Sequence, residues 1–509
     1  MAIGSRAPSA TPGLRSLKAL APIRFTRRHW RAAVIATYAI LLATVELHHE
    51  PWFDEAQAWL LARDASPWEL VAHRLHYEGT PGLWQLILMP FAKAGLPYRT
   101  VSVLGALFAL GGVVVFVRRA PLPPLVVASV PFTYFILFQY GVVARSYSVL
   151  LLLLSLVAAG WRGRWSHPVR HMLLLGLLSQ VSLHGLIVAA SVVVADLPEL
   201  SRRWHAMAVR RRRAQVGALT GFLVLTVATV VELWPTADNS GGGSWHLGIS
   251  DIATAIATFT HSAPVPLLIV PALLVLGWWF RVRGVLPLVV LAVGGLGLLF
   301  VLRYASPWHG GVVFVVILFA LWISWPQRPA EPGGGPRHHR LRSAALVATM
   351  VVMATQLVWT AAAVRFDLAS SYSGTAGAAE YLASHLAGRR VDAVGKWSVG
   401  LLPYFRSNVF NNYHHAGGPS YWPWSYATNP LQGGWPAVLA DHPDVIVVTA
   451  KSRSPATLPC IPGYHQAAVF PGAIYFAMAP YESETVAIYE LQGPPPAPDA
   501  QVTSGCGAA

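Results

Sequence analysis

From about residue 31 to residue 364, long apolar runs alternate with short connectors rich in arginine. Apolar runs of roughly 15 to 22 residues match the length a helix needs to cross a bilayer core. The pattern predicts spans at about residues 31–47, 100–117, 122–140, 144–160, 171–184, 186–199, 215–234, 263–280, 285–302, 311–325 and 343–364. The piece Leu83 to Ala94 is shorter and carries Pro90 and Lys93, so an interfacial or re-entrant helix is expected there. The pair 171–199 reads as a hairpin turning at Ser182-Leu183-His184-Gly185. One long helix in its place would put Arg210 to Arg213 on the outer face, against the positive-inside trend.

Beyond about Ala369 the pattern changes. Ala378 to Ala387 reads as an amphipathic helix, and Val391 to Val394, Val445 to Thr449, Ala473 to Ala477 and Val486 to Leu491 alternate or cluster as strands do. The expected architecture is a polytopic α-helical membrane protein of about eleven transmembrane helices with a C-terminal extracytoplasmic α/β domain. Residues 1–30 form a basic cytoplasmic N-terminus and residues 31–364 the transmembrane domain, whose first outer loop is 48–80. The α/β domain covers 365–492, and the proline-rich tail 493–509 is expected to be disordered.

Composition fits this class: 54% of the 509 residues are hydrophobic and 12% charged. A net charge of +15 would suggest a nucleic-acid partner for a soluble chain. Here the basic residues fall in connectors, at Arg118-Arg119, Arg162 to Arg170, Arg202 to Arg213, Arg281 and Arg283, and Arg328 to Arg342. Positive-inside sorting accounts for them, and no nucleic acid is expected. The N-terminus lacks a compact cleavable signal, so the first span reads as a retained signal anchor. Cys460 and Cys506 fall outside the cytoplasm, where a disulfide can form.

The chemistry collects at the outer ends of the spans. Asp54 and Glu55 follow Pro51 in the first turn of a predicted helix whose apolar face is Phe53, Ala56 and Leu60. Further along come His73, His76, Tyr77 and Glu78 before Gly79-Thr80-Pro81-Gly82, then Arg145-Ser146-Tyr147, His184, His261, Arg303-Tyr304 and His309. Plain readings exist for each. Acids at a helix start complement its dipole for about 0.3–1 kcal/mol, and arginines at span ends snorkel to headgroups. The histidines lack the close spacing of a zinc site. Gly241-Gly242-Gly243 has no phosphate-loop context and reads as a link. Glu46, Asp196, Glu199 and Glu232 lie near span ends, whereas a transporter concentrates such groups near the midplane.

Taken in order, the Asp-Glu pair after the first span, the Gly-Thr-Pro-Gly turn before an apolar helix, Ala144-Arg145-Ser146-Tyr147 and Ser182-Leu183-His184-Gly185 resemble the GT-C glycosyltransferases. The likeness is to the bacterial branch akin to protein mannosyltransferases and lipid A aminoarabinose transferases. It implies a GT-C-like fold in a bacterial-type inner (plasma) membrane. It also implies transfer of a sugar from a polyprenyl-phosphate donor to a lipid, glycan or protein acceptor on the outer face. Asp54 matches the family's first-loop aspartate, a base or metal-associated carboxylate, with Glu55 beside it. Arg145, Tyr147, His184, Arg303, His76 and Glu78 are the expected substrate-binding set. The chain departs from the pattern at residues 144–148, which hold no second acid, and at Glu78, where some relatives have lysine beside the loop proline. A divalent metal is thus an open requirement. Such a transfer needs a base for the acceptor proton and cations where charge grows on the leaving phosphate, here Asp54 with Arg145 and Arg303. The competing readings are a lipid or sugar transporter or flippase, and a non-catalytic scaffold of the same fold.

Overall fold

The computed structural model describes residues 29–241, 266–303, 306–326, 336–385, 387–413, 417–429, 433–453 and 457–505, with Ile252 and Ile256. Helix α1 (Trp30–Glu46) opens the described chain and packs against Thr100–Arg119. Among the described residues, six helices are long and apolar enough to cross a membrane: Thr100–Arg119, Pro124–Val142, Leu183–Trp204, Val209–Glu232, Pro307–Ser324 and His339–Ala369. Shorter apolar helices cover Tyr147–Gly163, Pro168–Ser179, Val270–Val282 and Leu286–Leu302.

The bundle has an inside and an outside. Pro124–Val142 and Pro307–Ser324 are largely buried, whereas Val209–Glu232 is mostly open, with Leu223, Val224, Val227 and Val231 each more than half exposed. A stripe of that kind is unfavourable in water and natural against lipid tails. Asp196 is taken up by Arg164 at 2.9 Å and Glu199 by Arg202 at 2.8 Å, so these acids serve ion pairs at a helix end.

The hairpin at 168–204 forms, with one correction. Its turn lies at Gln180 to Ser182, and the second helix begins at Leu183 because the Ser182 hydroxyl accepts from Gly185 N at 3.0 Å. A β-carbon at Gly185 would lie 2.3 Å from Leu178 O, so the two helices meet this closely only around glycine. His184 consequently lies buried in the first turn of a helix and not at a loop tip. The Leu83–Lys93 helix has 11 residues. At 1.5 Å per residue it spans about 16 Å, half a bilayer core.

The C-terminal region builds a five-stranded sheet in the order β1 (Val391–Val394), β2 (Val445–Ser452), β6 (Ala479–Leu491), β4 (Tyr464–Phe470), with β5 (Ala473–Phe476) also on β6. Strands β1 and β2 are parallel and the β2–β6 pair is antiparallel, with Lys451 opposite Glu484. The run Val445 to Thr449 is buried, as expected of a central strand covered on both faces. Strand β4 was not foreseen, because its exposed His465 and Gln466 break the apolar alternation.

In the tail expected to be disordered, Thr503–Ser504 (β7) pairs with Pro459–Cys460 (β3). Ala500 and Val502 pack near Ile461 and Leu439, an apolar anchor that the proline run preceding them concealed. Cys460 is disulfide-bonded; Cys506 lies outside the described residues.

Candidate active site

Two adjacent carboxylates open helix α2 (Phe53–Asp64), and the helix turns them in different directions. Successive residues are about 100° apart around a helix. Glu55 points inward and is fully buried. One of its oxygens accepts from Trp52 N at 3.0 Å, closing the helix start, and the other accepts from Ala144 N at 2.7 Å. Asp54 meets the next residue of the same partner segment, its Oδ2 3.1 Å from Nη2 of Arg145. Adjacent acids thus grip adjacent residues, Glu55 by the backbone of Ala144 and Asp54 by the guanidinium of Arg145. Gly105 supports this contact: a β-carbon there would come within 2.9 Å of Ala144 Cβ, so the Thr100–Arg119 helix lies directly against the segment that presents Arg145.

Behind Glu55, His49 Nδ1 lies 2.9 Å from Asp367 Oδ1 and its Nε2 3.7 Å from Glu55. Burial opposes a charge on His49, yet these two carboxylates hold its pKa well above the usual histidine value. The resulting Asp367–His49–Glu55 chain ties the last long helix to the start of α2.

Asp54, Glu78 and Arg145 line one cavity of about 610 Å³. Glu78 accepts from Gln57 Nε2 at 2.7 Å. Burial, together with the charge of Asp54, pushes the Glu78 carboxyl up to about 8, so at neutral pH it carries a proton it can offer to a ligand. Gln57, one turn after Asp54, also bonds both backbone groups of Trp422 at 2.8 Å, which fixes the C-terminal domain over the cavity.

That domain supplies residues the sequence reading missed. Lys451, Ser452 and Arg453 at the end of β2, Glu482 on β6, Trp397 and Trp424 all line the cavity, beside Trp52 and Trp308. Lys451 Nζ is 2.9 Å from Glu482 Oε2 and lies 4.4 Å from the Trp52 ring and 4.1 Å from that of Trp397.

The remaining expected residues are placed elsewhere. Tyr147 stacks on Tyr140 with ring centroids 5.0 Å apart and lies under Arg145. His184 sits 4.5 Å from the His309 ring, buried below Tyr147. These three shape the floor beneath Arg145 and do not line the cavity. His76 bonds Trp234 O at 2.8 Å, and Arg303 caps the Leu286–Leu302 helix; neither is among the residues that line the cavity. His261 and Tyr304 lie outside the described residues.

A divalent metal does not fit this donor set. The guanidinium of Arg145 already faces Asp54, and no cluster of three or more potential ligands occurs among the described residues. The arrangement suits a proton acceptor, Asp54, next to a cation, Arg145, in a partly closed, aromatic-walled cleft.

No family model and no curated protein matches the chain. Among solved structures, the single-particle cryo-EM structure of the arabinofuranosyltransferase AftD from mycobacteria is similar, at 14% identity over 92% of this chain and with a TM-score of 0.38. The chain spans 40% of the length of that protein.

Proposed function

We propose that this protein is a membrane glycosyltransferase that moves a sugar from a polyprenyl-phosphate carrier to an acceptor hydroxyl on the outer face. The observation that carries the reading is the Asp54–Arg145 pair at 3.1 Å in a cavity of about 610 Å³. Asp54 takes the acceptor proton as the acceptor oxygen bonds to the anomeric carbon. The bond from that carbon to the phosphate oxygen breaks, its electron pair stays with the phosphate, and Arg145 faces the growing charge. Glu78, protonated at neutral pH, donates a hydrogen bond within the cleft. Tyr147, His184 and His309 hold Arg145 from below. Arg303 and His76 have no direct part in this reading, and Glu55 is a positioning residue. The N-terminus is cytoplasmic and the C-terminal domain extracytoplasmic in this proposal, with about eleven spans following from the arginine pattern.

The test is mass spectrometry of lipid-linked sugars and envelope glycans in cells lacking the gene, complemented with wild type or with Asp54→Asn. The donor should accumulate in the deletion and in Asp54→Asn cells, and disappear with wild type. Identical profiles in all three strains refute the reading.

A further inference from the structure

Three cations line the cavity, Arg145, Lys451 and Arg453. Lys451 comes from a strand more than three hundred residues after Arg145 in the chain. Lys451 is 9% exposed at its side chain, sandwiched between the rings of Trp52 and Trp397. Flanking aromatic faces attract an ammonium electrostatically and restrict its movement. Trp52 lies 6.1 Å from Trp308, and Arg145 lies 6.0 Å from Trp308 on the same cavity. The two cations therefore stand over neighbouring aromatic rings, each held by one acid: Arg145 by Asp54 and Lys451 by Glu482.

Lys451 has donor capacity to spare. An ammonium carries three N–H donors, and among the described residues its ion-pair partner is Glu482. Glu484, opposite Lys451 in the strand register, is fully buried, and burial pushes its carboxyl up to about 8. That upward shift, against the pull of the Lys451 charge, makes it a weak counter-ion for the ammonium. Glu482 has an alternative partner in Arg453, whose Nε is 3.9 Å from its other oxygen. An incoming anion can thus take Lys451 while Glu482 remains paired.

We propose that Lys451 of the C-terminal domain binds the phosphate of the lipid carrier opposite Arg145, so that the soluble domain completes the donor site. This rests on the glycosyltransferase reading above. The chemistry gives the second cation a purpose. A polyprenyl phosphodiester bears one negative charge, and the monoester bears two once the electron pair of the broken bond stays with it, remaining largely dianionic at neutral pH because its second pKa is about 6. One guanidinium already shared with Asp54 leaves that second charge unmatched.

The experiment is an equilibrium titration of the purified full-length protein in nanodiscs with a long-chain polyprenyl phosphate, the uncharged polyprenol and inorganic phosphate. Wild type should bind the lipid phosphate and neither control. Lys451→Gln should weaken that binding about 10- to 100-fold, the worth of one charge-assisted hydrogen bond, and Lys451→Arg should restore part of it. Glu482→Gln is the discriminating variant. If Lys451 serves the phosphate, removing its resident acid leaves binding unchanged or tighter; if the ion pair is only structural, both variants lose binding alike, and the inference falls. Equal affinity of wild type and Lys451→Gln also overturns it, while leaving the glycosyltransferase reading on Arg145 alone. Binding of inorganic phosphate as tightly as the lipid would make this a free-phosphate site and overturn the lipid assignment. No binding of polyprenyl phosphate by wild type would refute the donor class itself.

Discussion

Neutralising each acid of the opening pair in turn should separate catalysis from architecture. Glu55→Gln keeps the shape of the side chain but turns one accepting oxygen into a donor. That oxygen now faces either Trp52 N–H or Ala144 N–H, and a buried donor without an acceptor costs about 1–3 kcal/mol. His49 also loses one of its two carboxylate partners, and breaking a buried charge network costs about 3–5 kcal/mol. The effects overlap, so a total of about 3–5 kcal/mol is expected. Asp54→Asn removes a pair whose side chains are 27% and 19% exposed. After discounting for solvent screening, such a pair is worth no more than about 1 kcal/mol. Loss of a positioned base, by contrast, lowers turnover about 10²- to 10⁴-fold.

The assay is thermal unfolding in detergent alongside carrier consumption in membranes holding equal protein. Asp54→Asn should unfold close to the wild-type temperature and be inactive; Glu55→Gln should unfold markedly earlier. The pH dependence adds a check of sign. A histidine whose pKa is raised on folding contributes stability that is fully present below its unfolded value of about 6.5 and is lost as pH rises through the folded pKa. Glu55→Gln should shrink that contribution. Equal unfolding temperatures for Glu55→Gln and wild type would refute the assigned division of labour. So would an Asp54→Asn protein that transfers normally.

Three other outcomes are expected. Arg145→Ala should nearly abolish transfer and Arg145→Lys keep part of it, since lysine retains charge without the planar fork; near-normal turnover in both, measured in the same membranes, would reduce Arg145 to a helix anchor. The Glu78 pKa, raised to about 8 by burial and Asp54, means that the folded state holds this proton more tightly, so stability falls as pH rises from about 4.5 to 8. Glu78→Gln should flatten that part of the curve in pH-dependent melts, and an unchanged slope would contradict the assignment. In a background with Cys460 and Cys506 replaced by serine, a cysteine at the exposed Tyr426 should react with an impermeant thiol reagent in intact cells. One at the exposed Arg202 should not, and labelling there would invert the topology.

Local pattern set the helices and much of the sheet. Apolar run length and arginine connectors marked the helical segments, Pro124 and Pro168 stand at helix starts as their fixed φ favours, and β1 and β2 were visible as clustered β-branched residues. Asp54 and Arg145 were also legible as candidates, because ionisable groups just outside a span stand out against apolar neighbours.

Which acid faces the cleft was not, since a rotation of about 100° leaves the sequence unchanged and only the packing of α2 on Ala144 chooses it. Convergence was decided the same way. Gln57 meets Trp422 across 365 positions and Arg63 meets Ser420 across 357, and these bonds help bring Lys451, Glu482 and Trp397 to the cavity that Arg145 also lines. Arg303 and His76 had the right chemistry on the expected face, yet neither lines the cavity: Arg303 caps the Leu286–Leu302 helix, and His76 turns to Trp234 O while Tyr77 and Glu78 beside it line the wall. The sequence by itself determined the elements, because hydrophobic periodicity acts within one turn or one strand. The tertiary structure alone decided the membership of the site, because it depends on contacts between segments whose separation along the chain leaves no local trace.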